Sequence, residues 1–248
     1  SCEYFFDNAN ATGSPFNKVE QAVQQIGAVN LLSMVRTENM VFFVSAGQTG
    51  EHAVYMFTGT GNLRRVSTPP LDRILELETT NLVNCYAWTC NVAGHHLYVL
   101  NLTGSNRTFV YDMVIEQWYE WESAAGGASF PIYAAMEVDD GSVNGTVLQH
   151  FTNGWLYNFL SGTSQDDGVN FKVTARTSKQ DFDTSERKWC SRVELVGDRQ
   201  ATTTNVNYSY SDDDYVTFST ARVIDMSLVR PVAYAFSYFR RRAHQVDY

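Results

Sequence analysis

Short stretches of alternating apolar and polar residues, separated by turn residues, run through most of the chain. The clearest stretch is Arg107–Ser123, where Phe109 and Tyr111 precede a short connection that leads to Trp118. Alternation of aromatic and β-branched residues predicts half-buried strands, here a β-hairpin. Asp112 can bond the backbone of its own turn, and the aromatic residue on the return strand can fill the space between stacked sheets.

A similar pattern lies about 55 residues earlier. Met40–Val44 aligns with His96–Leu100 at a shift of 56, and Val54–Met56 aligns with Phe109–Tyr111 at a shift of 55. Propeller blades repeat every roughly 40 to 50 residues, so this spacing is typical of repeated four-stranded units. Looser third and fourth units follow. We therefore predict an all-β fold, a β-propeller of several four-stranded blades. It forms one domain over residues 1–248, or most of one, with blades near 28–68, 83–123, 130–178 and 189–242.

Two segments interrupt the strands. Leu71, Ile74, Leu75 and Leu77 recur at helical spacing after Pro69-Pro70, which predicts a short helix between blades, with an irregular loop as the alternative. Residues 19–29 predict a short helical turn. Residues 170–177 and 215–219 predict further strands.

Composition and charge narrow the class. The chain is 44% hydrophobic and 14% aromatic, and its net charge is −9. The aromatic content favours a β-rich protein, and the acidic charge argues against a protein that coats DNA, which is usually basic. An acidic wall can still line a channel through which DNA slides, because repulsion discourages sticking.

No apolar run has transmembrane length. The chain begins at Ser1 within a strand-like stretch, so we expect a fragment or a processed product.

The cysteines and the acidic clusters do not predict a metal site. Cys2, Cys85, Cys90 and Cys190 lack Cys-x-x-Cys spacing, which favours buried free thiols over a disulfide framework. Asp139-Asp140 and Asp166-Asp167 precede glycines and are interpreted as turns, as are Asp212–Asp214. The segment Ser211–Phe218 resembles the "Asp box", Ser-x-Asp-x-Gly-x-Thr-Trp, a structural hairpin turn, with Tyr215 in the place of Gly.

No catalytic motif stands out. A glycosidase needs two carboxylates that face each other across a cleft, and Glu116, Glu120 and Glu122 are candidates by residue type only. No phosphate-cradling loop or zinc-protease motif is present. We expect no catalytic residue, no metal, no cofactor and no small-molecule substrate.

The arginines form two small clusters. Arg64 and Arg65 lie on a strand return, and Arg240, Arg241 and Arg242 lie near the C-terminus. Such clusters are candidates for contact with DNA phosphates or with an acidic partner surface. A solvated edge or an ordinary interface is the alternative.

The order of motifs resembles one family. The stretches that carry the resemblance are EYFFDNANATGSPFNKV at residues 3–19, VYMFTGTGNLRRVSTPPLDRIL at 54–75, GHHLYVLNL and RTFVYDMVIEQWYEW within 94–121, TNGWLYNF at 152–159, DDGVNFKVTARTS at 166–178 and YSDDDYVTF at 210–218. Together they resemble the packaged-DNA stabilisation or tail hub proteins of short-tailed bacteriophages, and the related tail nozzle (tail tubular B-type) proteins.

The resemblance implies a virion protein made in the host bacterial cytoplasm. It implies a homohexameric ring below the portal or adaptor protein, in contact with tail-tip or fibre proteins and with double-stranded DNA in its lumen. It also implies further blades at the N-terminus, without which the propeller is partial. Two rival hypotheses remain: a secreted carbohydrate-binding or glycoside-hydrolysing β-propeller, suggested by the Asp-box-like turn and the Asn-x-Ser/Thr sites, and an interaction propeller of the host.

Overall fold

In a computed structural model of the protein, the structure describes residues 2–10, 12–46, 51–58, 62–123, 128–139, 144–159, 162–163, 165–234 and 236–248. These residues form antiparallel sheets, which confirms the predicted all-β class. The strands are β1 (Cys2–Asp7), β2 (Phe16–Gln24), β3 (Gly27–Ala28), β4 (Val35–Thr37), β5 (Met40–Ala46), β6 (His52–Thr58), β7 (Leu63–Arg65), β8 (Tyr86–Val92), β9 (His95–Leu102), β10 (Arg107–Asp112), β11 (Gln117–Trp121), β12 (Ile132–Asp139), β13 (Asn144–His150), β14 (Leu156–Phe159), β15 (Gln165–Asp166), β16 (Val169–Asn170), β17 (Thr174–Arg176), β18 (Lys188–Trp189), β19 (Arg192–Glu194), β20 (Asn205–Ser211), β21 (Arg222–Asp225), β22 (Val232–Tyr234), β23 (Tyr238–Phe239) and β24 (Ala243–Asp247).

Helical structure connects the sheets. Helix α1 spans Pro69–Leu77, as the apolar spacing predicts, and two short 3-10 helices span Leu31–Ser33 and Leu82–Asn84. Leu71 and Leu75 of α1 are buried, so the helix packs its apolar side inward. No helix within the described ranges has the length and apolar character to cross a membrane.

The chain divides into two compact units, residues 1–169 and 170–248. The boundary falls inside the range 130–178 expected for the third blade, because β17 pairs with β24 of the second unit rather than with the third sheet. The assignment of residues 1–248 to four blades of one domain stays a prediction.

The first unit contains two sheets with the same strand order. One sheet runs β4–β5–β6–β7, with β3 also paired to β5, and the other runs β8–β9–β10–β11. Each of the strands β4 to β7 lies about 55 residues before its counterpart among β8 to β11, at the shift noted in the sequence. Strand β3 has no counterpart among the described strands of the second sheet. The hairpin predicted at Arg107–Ser123 is β10–β11, with Tyr111 opposite Trp118.

Period-two alternation places the second sheet between two cores. Tyr98, Leu100 and Tyr111 face the first sheet and α1, where Phe42 and Leu75 are buried. The intervening residues point the other way, and Val99 and Val110 pack with residues of the third sheet such as Ile132 and Leu148. A sheet that is apolar on both faces must be covered on both faces, which is how stacked blades share their cores.

The third sheet has the order β12–β13–β14. One face contributes Ala135 and Leu148 to the core with the second sheet. On the other face, Met136 and Leu156 are exposed.

The N-terminal segment corrects one expectation. Residues 19–29 do not form a helical turn, because Phe16–Gln24 pair with Cys2–Asp7 in a two-stranded antiparallel sheet. The ring of Tyr4 lies 5.4 Å from that of Phe57. Pairing with a partner strand therefore overrides the local helical spacing.

The second unit is not a simple four-stranded meander. Its main sheet has the order β17–β24–β20–β21, and two short ladders pair β18 with β23 and β19 with β22. Tyr208, Ile224, Ala233 and Phe236 form its buried core. Residues 215–219, expected as a strand, belong instead to a turn and the coil after it.

Candidate functional site

The first pair of candidate arginines is engaged within the first unit. Arg64 donates two hydrogen bonds of 2.6 Å to the carboxylate of Glu116, on the connection between β10 and β11. Arg65 donates to Asp72 of α1, which also accepts from the hydroxyl of Ser67. The Arg64 guanidinium holds the pKa of Glu116 below its ordinary value. Both arginines remain about half exposed, but their charges are already neutralised by carboxylates.

The C-terminal arginines meet the acidic cluster Asp212–Asp214. Arg242 pairs with Asp212, and Arg241 lies 3.2 Å from Asp214. Lys179 lies 3.1 Å from the same Asp214 carboxylate. We call these residues the Asp–Arg cluster. The sequence proposed its acidic and basic halves separately, and the structure brings them together.

Arg242 lies inside the second unit, whereas the sequence made it a candidate for contact at the surface. Its side chain is 0% exposed, so it is a core residue of the second unit. The guanidinium donates to both oxygens of Asp212, at 2.7 and 2.8 Å. Its Cζ lies 3.8 Å from the Tyr210 ring and 4.2 Å from the Phe239 ring. Burial of a charge requires such pairing, and it leaves Arg240 and Arg241 as the exposed members of this set.

Asp213 organises the Asp-box-like turn. Its carboxylate accepts from the hydroxyl and the backbone N–H of Thr217, the latter at 2.9 Å, and from the hydroxyl of Ser211 at 2.8 Å. These hydrogen bonds, that from the Thr217 hydroxyl first, lower the pKa of Asp213 to about 2. Tyr215 stands at the position where the motif has Gly, and its φ of 70° is in the left-handed region. Tyr215 therefore adopts the left-handed conformation that Gly adopts without strain.

The candidate carboxylates serve other partners. Besides Glu116 with Arg64, Glu120 accepts from Arg107 at 2.7 Å. Glu122 lies in an isolated bridge with Ser129. Among the described residues, no group of three or more His, Cys, Asp or Glu side chains could hold a metal ion. The Asp140 and Gly141 positions of one predicted turn lie outside the described residues.

Charge is divided unevenly between the two units. Residues 1–169 carry 6 Lys and Arg against 17 Asp and Glu, a net charge of −11, and residues 170–248 carry 12 against 10, a net charge of +2. The two values sum to the −9 of the whole chain. Four of the six basic residues in the first unit form ion pairs within it: Lys18, Arg64, Arg65 and Arg107. The first unit therefore carries a large excess of negative charge.

Comparison with known families decides the class of the protein. A family model described as "Bacteriophage P22 Gp10, beta-propeller" matches residues 1–139. The chain belongs to this family. Membership in the P22 Gp10 β-propeller family confirms the predicted propeller fold and the predicted phage origin, and it makes the protein a phage structural protein and a component of the virion. The match falls entirely within the anionic first unit.

Other comparisons add little to the family match. A search of curated proteins found no match. Two similar solved structures are variants of exo-beta-1,3-galactanase from Phanerochaete chrysosporium with beta-1,3-galactotriose. They share 9% and 10% identity at TM-scores of 0.26 and 0.19, and the alignments cover 86% and 90% of this chain. The chain spans 63% and 53% of their lengths. At such TM-scores the likeness carries no argument about activity.

Sequence reasoning missed one surface of the second unit. Trp189, Tyr234 and Tyr238 are exposed to 55%, 62% and 59%. In the sequence they look like ordinary strand residues, because alternation alone does not tell which face of a strand is covered. The neighbouring Arg187 and Arg192 were the available signal, since basic residues next to aromatic ones favour an exposed position.

Proposed function

We propose that the protein is a structural subunit of a short bacteriophage tail, at the hub or nozzle. It forms a homohexameric ring below the portal or adaptor, retains packaged DNA and provides the channel for its ejection. The observation that carries the proposal is the match of the P22 Gp10 family to residues 1–139. No catalytic step is part of it.

The charges of the chain support the mechanical part of the proposal. A wall that carries −11 over residues 1–169 disfavours adhesion of DNA, so the duplex can slide during ejection. The sheets that share cores on both faces provide a stiff body, because close-packed interiors resist deformation. Contacts with portal, adaptor, tail-tip or fibre proteins then fall to loops and to exposed residues such as Arg240 and Arg241.

Reconstitution tests this function. Phage heads assembled without the protein are incubated with purified full chain and then treated with DNase. We expect the added chain to protect the packaged DNA and to appear as a ring below the portal in negative-stain images. Heat-denatured chain serves as the control. Heads that lose DNA equally with and without the native chain, and that show no added ring, would falsify the proposal.

A catalytic role is tested in parallel. Fluorogenic glycosides are incubated with the chain and with a Glu120→Gln variant. We expect no turnover by either protein. Hydrolysis by the wild type that Glu120→Gln abolishes would instead favour the carbohydrate-active alternative.

A further inference from the structure

The second unit presents a ribbon with one covered and one open face. The ribbon consists of two short antiparallel ladders, β18–β23 and β19–β22. Between the two ladders, the N–H of Phe236 donates to the Cys190 carbonyl at 3.2 Å. Cys190, Val193, Ala233 and Phe236 belong to the core of this unit. The opposite side chains therefore point to solvent.

Large aromatic and cationic side chains occupy the open face. Trp189 and Tyr238 are cross-strand partners whose ring centroids lie 4.8 Å apart, and both are more than half exposed. The guanidinium of Arg187 lies 5.5 Å from the Tyr238 ring. Arg192 is the cross-strand partner of Tyr234, and its side chain is 55% exposed and 3.7 Å from Glu194. We call Arg187, Trp189, Arg192, Tyr234 and Tyr238 the aromatic–arginine face.

The composition of this face is that of a protein-binding surface. Trp, Tyr and Arg are the residue types that contribute most to binding energy at protein interfaces, because they bury large areas and still form polar contacts. A partner that covers these adjacent exposed rings would remove their apolar surface from water, and such burial favours association.

Charge identifies the partner. The aromatic–arginine face lies in the unit with a net charge of +2, whereas residues 1–169 of each copy carry −11. Four of the six basic residues of that acidic unit are already paired within it, and the unit keeps a net charge of −11. In a ring every copy offers both surfaces, and opposite charge on the two surfaces of a head-to-tail contact favours association.

We propose that the aromatic–arginine face binds the acidic unit, residues 1–169, of a second copy of the chain. The proposal deepens the proposed ring, on which it rests, by naming a contact between neighbouring copies. Arg187 and Arg192 steer the acidic surface, and Trp189 and Tyr238 supply the buried apolar area.

Sedimentation velocity of the full chain at several protein and salt concentrations tests the contact. We expect wild-type self-association that weakens as salt rises, because screening reduces attraction between charges. The double variant Arg187→Glu with Arg192→Glu should weaken association by about tenfold or more, and Trp189→Ala should act in the same direction. Arg199→Glu with Arg230→Glu changes the net charge equally outside the face and should leave association within about twofold of the wild type.

Unfolding midpoints of all variants, measured in urea, separate a lost contact from a lost fold. A monomeric wild type at its highest soluble concentration overturns the proposal. Equal association of the two double variants also overturns it. The proposal is also overturned if the Arg187→Glu, Arg192→Glu variant loses binding to duplex DNA but self-associates like the wild type. The face would then be a nucleic-acid-binding surface. If the Arg187→Glu, Arg192→Glu variant still forms rings on phage heads, this contact fails while the proposed tail function stands.

Discussion

At the scale of single residues, Arg242 shows how a charge is kept inside the second unit. Its fully buried guanidinium donates from Nε and Nη2 to Asp212 and lies between Tyr210 and Phe239, while its Nη1 has no hydrogen-bond partner. Removal of one partner of a buried ion pair leaves the other without compensation. Because the Asp212 side chain is still 33% exposed, water can hydrate part of it and reduce the cost.

We therefore predict that Arg242→Met lowers the free energy of unfolding by about 2–3 kcal/mol. Urea denaturation followed by circular dichroism measures the change. Arg240→Met makes the same substitution at an exposed neighbouring position and should stay within about 0.5 kcal/mol of the wild type. Equal effects of the two substitutions would mean that Arg242 does not carry a buried ion pair.

The lowered pKa of Asp213 predicts that the stability of the fold decreases at acidic pH. Its folded-state pKa of about 2 lies below the ordinary 3.8, so the folded state binds its proton less readily than the unfolded state. The stability that Asp213 contributes is fully present above about pH 4 and is lost as the pH falls toward 2.

The Asp213→Asn variant should therefore be less stable than the wild type at pH 5, and the difference should shrink between pH 4 and pH 2. Urea midpoints across this range measure it. Thr217→Val removes the hydroxyl that donates to the carboxylate, which raises the folded-state pKa of Asp213 and should shift the loss of stability to higher pH. A difference between wild type and Asp213→Asn that stays constant down to pH 2 contradicts the assigned role.

At the scale of elements, the hairpin β10–β11 links two sheets through Trp118. The indole N–H donates to the carbonyl of Val66, just beyond β7 of the first sheet, at 2.8 Å. Its ring lies 5.1 Å from that of Tyr111 and meets that of Tyr98 edge-on. The aromatic residue of the return strand thus fills the space between sheets, as the sequence pattern predicts.

Trp118→Phe keeps an aromatic ring but removes the hydrogen-bond donor. We expect it to lower the free energy of unfolding by about 1–2 kcal/mol, since the Val66 carbonyl loses its partner and the smaller ring leaves unfilled space. Chemical denaturation measures the change. Trp189→Phe, the same substitution at an exposed site, should cost less than about 0.5 kcal/mol in the isolated chain. A smaller loss at Trp118 than at Trp189 would refute the linking role.

Elements with local signals could be predicted from the sequence. The hairpins of the first two sheets, helix α1 and the turn around Asp213 follow from alternation, helical spacing and turn chemistry within short windows. Pairings over long sequence distances could not. Thr174–Arg176 pair with Gln245–Asp247 across the second unit, and no short window contains both strands. Likewise, the pairing of β2 with β1 is decided by tertiary contact and not by local spacing.

In the candidate site, too, residue types could be predicted from the sequence, but contacts and exposure could not. Residue type alone identified Arg64, Arg65 and the C-terminal arginines as candidates for contact with DNA phosphates or an acidic partner. Their availability depends on partners that the sequence does not reveal, such as Glu116 for Arg64. The aromatic–arginine face escaped prediction for a related reason, because exposure is a property of the packed unit.

At the scale of the whole molecule, the charges set the response to DNA. With a net charge of −11 on residues 1–169 and +2 on residues 170–248, we expect weak binding to duplex DNA. The logarithm of an affinity that depends on phosphate contacts falls with the logarithm of salt concentration by about 0.9 for each phosphate neutralised. The slope of log affinity against log salt concentration therefore reports how many arginines contact phosphates.

Arg240→Ala and Arg64→Ala distinguish the two candidate clusters by this slope. Arg240 is exposed at the surface of the second unit, and its loss should reduce the slope by about 1 if it contacts a phosphate. The Arg64→Ala substitution should leave the slope unchanged, because the Arg64 guanidinium already donates to both carboxylate oxygens of Glu116. Fluorescence anisotropy of a labelled duplex, titrated with salt, measures both. A reduced slope for Arg64→Ala alone would reverse the assignment, since DNA would then compete successfully with Glu116 and the phosphate contact would lie on the acidic unit itself.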